Sequence, residues 1–416
     1  MDNITHSLAG MVLAEAACVA RRETRQEVRA AAYLVSALAN NLPDIDVVYS
    51  SLLGPKPLGS LLHHRGHTHT LLVALPGAWL LGVLLWRWFS KRSPVAADAP
   101  ARQLIFGLAL VGPLVHLLMD FGNNYGVHPF WPLSARWFYG DSIFIVEPLW
   151  WVVAIPILGK TLHRRWLKLL LWSLLFALLL VCWFVPFVLP ASRVVLLGLC
   201  AASFAVAHYA SERARAGYAV AGSLAVAGAF VCASLLAKAQ LKSATVAAFP
   251  ALTVLDLAMT PMPANPTCWE GLVAGEQGGV YRVLRASVAL PPLSSASCAA
   301  GDDVTPTAPV QKLDRPLHGG VHFQSEYRAE VAELRRLERD DCRFRALLEF
   351  ARLPYVTPAA PGERGAPGVR YAGDLRYDRS PDLDFSDLSL PLQPQTGVCP
   401  RFVPGWREPR AELFRP

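Results

Sequence analysis

Long apolar blocks separated by short polar loops fill the chain up to about Lys242, and beyond it the sequence turns Pro-rich and polar. A helix crosses the hydrocarbon core of a bilayer with about 20 mostly apolar residues, each adding about 1.5 Å. The blocks Thr70–Trp86, Gln103–Met119, Ile143–Gly159, Trp166–Leu189, Val194–Ala210 and Gly217–Ala237 have the length and character of such spans. Two weaker segments, Ile4–Ala20 with Glu15 inside it and the shorter Ala30–Pro43, bring the expected number to about eight. The pattern therefore predicts an α-helical integral membrane domain over residues 1–241 and a second domain over 242–416. In that second part, β-like runs at Thr245–Leu257, Val280–Leu290 and Gly368–Tyr377 alternate with one helical stretch, Glu326–Phe350, and predict a small α+β domain. There is no internal repeat.

Composition supports the membrane reading. The 416 residues are 53% hydrophobic and only 17% charged, with a mean hydropathy of +0.32, outside the range of an ordinary soluble protein. The formal charge of +7 does not point to nucleic acid, because the basic residues lie in short loops between apolar blocks. There they orient helices. Arg21, Arg22, Arg25 and Arg29 follow the first block; Arg87, Lys91, Arg92 and Arg102 the third; Lys160, Arg164, Arg165 and Lys168 the fifth; Arg213 and Arg215 the seventh. The intervening loops hold only Lys56, Arg65, Arg136 and Arg193. The positive-inside rule makes the basic set cytoplasmic. The expected product is a multi-pass protein of a bacterial-type inner membrane, with an extracytoplasmic tail. The start Met-Asp-Asn carries no basic residue ahead of the first block, which argues against a cleaved signal peptide.

Cysteine usage follows the same division. Cys18, Cys182, Cys200 and Cys232 lie in apolar blocks, where a free thiol is a small hydrophobe. Cys268, Cys298, Cys342 and Cys399 lie in the tail, and an even number in an oxidising compartment predicts two disulfides, with all three pairings open.

Candidate chemistry is concentrated near the start. Of the 11 histidines, His6, His63, His64, His67, His69, His116 and His128 share the first third of the chain with Asp44, Asp46, Asp120 and Asp141. Under the topology above each falls at an outward helix end or outer loop. His116 and Asp120 are four apart and share one helical face. In Leu42-Pro43-Asp44-Ile45-Asp46 the proline ends a helix and frees two carboxylates to turn toward a common point. Imidazole plus carboxylate without thiolate suits zinc, manganese or iron, and the ligand surplus suggests two ions. A single His at a helix end is ordinarily an interfacial or hydrogen-bonded group, which covers His163, His208, His318 and His322. Asp44 and Asp46 alone would be a solvated turn or a cap, and the His run alone adventitious. Their coincidence on one membrane face carries the metal reading.

These residues resemble a family. Ile4-Thr5-His6-Ser7 with Gly10, Leu42-Pro43-Asp44-Ile45-Asp46, His64-Arg65-Gly66-His67-Thr68-His69, and His116 to Asp120 with Tyr125-Gly126-Val127 resemble the YdjM/YbcI-type family of membrane-bound metal-dependent hydrolases, over roughly residues 1–160. The order of ligands is also similar to that of zinc-dependent phospholipase C and related single-strand nucleases, with His6, Asp44, one of His64–His69, His116 with Asp120, and His128 in the corresponding slots. The N-terminal Trp ligand and final HisxxxGlu pair of those enzymes are missing. The resemblance implies a divalent metal site, zinc-like and of two ions, that hydrolyses a phosphoester or lipid head group. The expected metal ligands are His6, Asp44, His64, His69, His116 and Asp120. Asp46 is expected as ligand or supporting carboxylate, Asp141 as a carboxylate orienting a ligand His, and Arg65 as a phosphate clamp or interfacial anchor. Expected partners are the bilayer and an amphiphilic substrate. The rival class is a non-catalytic membrane protein whose metal is structural or sensory and which acts through its outer domain.

Overall fold

The computed structural model describes residues 1–93, 98–291, 298, 310–313, 319–357, 369–377, 386–391 and 405–414. The N-terminal part is helical: α1 (Asn3–Ala20), α2 (Gln26–Asn41), the short α3 (Leu58–His63), α4 (Leu71–Arg92), α5 (Ala99–Phe121), α6 (Pro148–Thr161), α7 (Arg165–Phe184), α8 (Pro190–Tyr209) and α9 (Glu212–Ala248). Six of these, α1, α4, α5, α7, α8 and α9, are long and apolar enough to cross a membrane. The other two segments expected as spans are shorter, 16 residues in α2 and 14 in α6.

Local chemistry sets the helix ends that matter for the site. The Asp2 carboxylate accepts from the Ile4 and Thr5 amides and starts α1 one turn before His6. Pro43 cannot continue α2, and the chain passes into a 3-10 turn, Pro43–Val48, that carries Asp44 and Asp46. Thr70 caps α4 immediately after His69. Glycines bring α1, α2 and α5 into close contact. A Cβ at Gly10 would lie 2.5 Å from Ser36 O, and one at Gly112 2.7 Å from Ala39 Cβ, so α2 is wedged between α1 and α5. The ionisable Glu15 inside α1 is paired there with Arg29 at 2.6 Å and accepts from Tyr33.

The C-terminal part begins where α9, running unbroken through Leu241 and Lys242, ends at Ala248. Thr245–Ala248, expected in a strand, thus belongs to the helix: extending an existing helix by a few residues is cheap even through Thr and Val. A five-stranded antiparallel sheet follows, in the order β1 (Thr253–Met262), β2 (Asn265–Gln277), β3 (Val280–Ala289), β5 (Val321–Glu330) and β4 (Val310–Lys312). After α10 (Val331–Asp340) and α11 (Cys342–Leu348), a three-stranded antiparallel sheet pairs β6 (Pro354–Val356), β7 (Val369–Asp374) and β8 (Leu388–Pro391), and α12 (Ala411–Phe414) is the last described element. The stretch expected as one helix, Glu326–Phe350, is the end of a strand and two helices. Cys268 and Cys298 form a disulfide, and Cys342 is disulfide-bonded as well. Cys399 and His318 lie outside the described residues.

The two parts share cores. One runs from the membrane helices along α9 into β2 and β3, with the Phe230 and Trp269 rings 6.4 Å apart. A second joins Leu58, Leu61 and Leu62 of α3 with Tyr125 and Trp137 to Phe350, Tyr355 and Trp406. The C-terminal domain is therefore packed on the loops that hold the His-rich run.

Candidate metal centre

Four side chains from three segments meet in the interior: Asp44 from the turn after α2, His69 from the 3-10 turn before α4, and His116 and Asp120 from the last turns of α5. His69, His116 and Asp120 are fully buried, and Asp44 is 7% exposed. The donor atoms are evenly spaced. His69 Nε2 is 3.1 Å from His116 Nε2, 3.4 Å from Asp44 Oδ1 and 3.2 Å from Asp120 Oδ2. His116 Nε2 is 3.6 Å from Asp44 Oδ1 and 3.3 Å from Asp120 Oδ2. Four ligands at about 2.0–2.1 Å from a tetrahedral ion lie about 3.3 Å from one another, so these five edges fit one small divalent cation.

Proton positions point the same way. His116 Nδ1 lies 2.6 Å from the Asn40 carbonyl, which can only accept, so Nδ1 carries the proton and Nε2 presents a lone pair. His69 Nδ1 lies 3.2 Å from Asp46 Oδ2, which orients that ring in the same sense. Asp120 Oδ2, fully buried between the two Nε2 atoms, has no hydrogen-bond donor among the described residues. The cluster thus needs positive charge at its centre. Burial alone would lower the pKa of His69, yet the hydrogen bonds and charges of Asp120, Asp44 and Asp46 raise it to about 10.

A second group shares Asp44 and adds Asp46 and the partly exposed His64. Asp46 organises it, accepting from His64 Nδ1 at 2.9 Å, the Arg65 amide at 2.9 Å and Thr68 Oγ1 at 2.7 Å. Burial would raise the Asp46 carboxyl, but the His64 and His69 bonds hold it well below its usual range. Arg65, whose φ of 56° is in the left-handed region, turns its side chain back into the protein. Its guanidinium is bonded to Asp120 Oδ1 at 2.9 Å and Asn123 Oδ1 at 2.9 Å and lies 4.8 Å over the Tyr125 ring.

The other expected residues fall around these groups. His6 stacks on His116 with ring centroids 3.8 Å apart, and its Nε2 is 3.3 Å from Asp120 Oδ1, beside the four donors rather than among them. The Met1 amino group is also bonded to Asp120 Oδ1. His128 stands 3.7 Å from Trp406 and 3.8 Å from Trp137, and burial lowers its pKa to about 3. His67 packs on Trp131 and Trp406. Asp141 is paired with Arg352 at 2.7 and 3.0 Å and with Lys238 at 3.1 Å instead of with a ligand histidine. It ties the loop between α5 and α6 to the C-terminal domain.

Residues 1–191 match the YdjM inner membrane protein family. The motifs read from the sequence point to the same family. The YdjM match covers α1 to α7 and every residue of both groups, and it stops at the first residues of α8. No curated protein and no solved structure matches the chain.

Several contributors had no signature in the sequence. Asn40 acts through its main-chain carbonyl, which any residue would offer. Asn3 donates to Asp44 Oδ2 at 3.0 Å, and Arg376 reaches the carbonyls of Asn124 and Tyr125 from more than 250 residues away.

Proposed function

We propose that this chain is a membrane-bound, metal-dependent hydrolase of a phosphoester or lipid head group, with its His/Asp site on the outer face of the membrane. The observation that carries the reading is the buried set Asp44, His69, His116 and Asp120, whose lone pairs converge at the edge lengths of one small divalent ion. We take that ion to be zinc. A second ion would sit with Asp44, Asp46 and His64, on the side where His64 is 27% exposed. Bound there, divalent metal supplies Lewis acidity toward the ester and lowers the pKa of water to about 7.

The chain's own residues set the stage. Asp46 and the Asn40 carbonyl fix the tautomers of His69 and His116. Arg65 holds Asp120 in place, and His6 fills the space behind His116. Asp141, through Arg352, keeps the C-terminal domain over the outer loops. That domain serves as a cover and substrate-gripping element. The tail lies outside the cytoplasm on the positive-inside argument.

One observation favours the rival reading of a structural or sensory metal. The four donors are nearly closed to solvent, as structural sites are, whereas catalytic sites keep a position open. Purified full-length chain, assayed on a phospholipid and a water-soluble phosphodiester before and after chelation, separates the two. The hydrolase reading expects turnover that chelation removes and divalent metal restores. Tightly held metal without turnover of any ester supports the structural role.

A further inference from the structure

The segment from Pro43 to Leu53 is inside out for a loop. Asp44, Asp46 and Ser50 are buried, Tyr49 and Ser51 are half-buried, and the exposed side chains are Ile45, Val47, Val48, Leu52 and Leu53, all large and aliphatic. Exposure reaches 76% at Val48 and 80% at Leu52. A loop bathed in water shows the reverse, and a contiguous exposed apolar patch marks a surface with an apolar partner. The tight 3-10 turns Pro43–Val48 and Ser50–Leu52 produce the sorting, sending carboxylates toward the ligand cluster and aliphatic groups away from it.

The strip does not stand alone. Leu118, between the ligands His116 and Asp120 on α5, is 68% exposed, and Leu72 and Val73, just past His69 on α4, are 54% and 40% exposed. Both helices are long and apolar enough to cross a bilayer. At each of the three places that deliver ligands, therefore, the neighbouring outward side chains are aliphatic. Two of the three belong to lipid-crossing helices. Lys56, exposed just beyond the strip, supplies the kind of basic side chain that anchors at head-group level.

We propose that Ile45, Val47, Val48, Leu52 and Leu53 form a lipid-facing strip immersed in the hydrocarbon of the leaflet on the metal side, so that the ligand cluster borders acyl chains and takes its substrate from that leaflet. The lipid contact stands on the burial pattern. The approach from the leaflet rests on the hydrolase reading above.

The test uses full-length protein carrying Cys232→Ser, with Val48→Cys or Leu52→Cys bearing a nitroxide, in phosphatidylethanolamine–phosphatidylglycerol vesicles. Both labels collide with dissolved oxygen and lose access to a water-soluble nickel chelate, whereas a label at Lys56→Cys keeps that access. Chelate access at Val48 and Leu52 equal to that at Lys56 overturns the lipid contact. Shielding from both reagents, or spin–spin broadening between labels, also overturns it and identifies protein or a second copy as the cover. For the approach, Val48→Asp loses turnover of vesicle phospholipid while keeping turnover of a water-soluble diester. Equal loss on both substrates overturns it. An unmodified chain without turnover overturns the hydrolase reading and the leaflet approach with it, and the label accessibilities still decide the lipid contact.

Discussion

His69 Nε2 and His116 Nε2 face each other 3.1 Å apart in a fully buried setting, and the other nitrogen of each ring is already engaged, with Asp46 and with the Asn40 carbonyl. At that distance the two nitrogens need a proton or a metal cation between them, since two bare lone pairs would repel. Asp46 should therefore govern metal affinity without itself being one of the four donors. Asp46→Ala is expected to weaken metal binding by about 10–100-fold, the usual effect of removing the carboxylate behind a ligand histidine. Competition with a chelator of known affinity measures it, and an unchanged affinity would contradict the arrangement.

The Arg352–Asp141 pair is expected to hold the two domains together. Arg352 makes a two-pronged contact with Asp141 and another with Asp256, and both it and Asp141 are almost fully buried. Arg352→Met leaves the buried Asp141 and the partly exposed Asp256 carboxylate short of a partner and should cost about 3–5 kcal/mol. Arg328→Met, which removes an exposed partner of Glu326, should cost less than about 1 kcal/mol. Thermal unfolding and protease susceptibility of the C-terminal domain compare them. Equal effects would show that the pair does not bear on docking.

Cysteine chemistry gives a third expectation. Cys268 and Cys298 are bonded and Cys342 is in a disulfide, so all three should resist alkylation until reductant is added. The buried Cys18, Cys182 and Cys200 should react only after denaturation, with no need of reductant. Alkylation of Cys268 in native, non-reduced protein would contradict the first statement.

The helices of the membrane domain were legible because apolar length is a strong signal, and the clustering of Asp44, His69, His116 and Asp120 because Pro43, the His run and the four-residue spacing of His116 and Asp120 each have a direct geometric meaning, whereas His6, expected as a ligand, lies beside the four. The number of crossing helices was less so, since α6 is apolar yet shorter than a bilayer requires and α2 is short and mixes polar with apolar residues. What the sequence hid was the second half of each interaction. Nothing near Asp141 announces Arg352, and nothing near His128 announces Trp406; only the folded chain brings them together. Strand β2, with Cys268, Trp269 and Gly271 buried and Glu270 between them, carries too little alternation to stand out from its Pro-rich surroundings.

Topology can be tested independently. A reporter fused after Phe249 should behave as extracytoplasmic and one inserted at Glu23–Arg25 as cytoplasmic, because the basic residues are concentrated in the loops on one side. A cytoplasmic signal from the fusion after α9 would place the metal centre on the other face.

The most direct measurement of the central claim is metal content and ester turnover, side by side, in the unmodified chain and in His116→Ala, Asp120→Ala and His163→Ala. His116 and Asp120 contribute donors from one helical face, 3.3 Å apart, and removing either leaves the cation without a full set. His163 is exposed between α6 and α7 and serves as the control. The account predicts stoichiometric metal and turnover in the unmodified chain and in His163→Ala, and loss of both in the other two, with membrane insertion preserved in all. Full metal and full turnover in His116→Ala would contradict it.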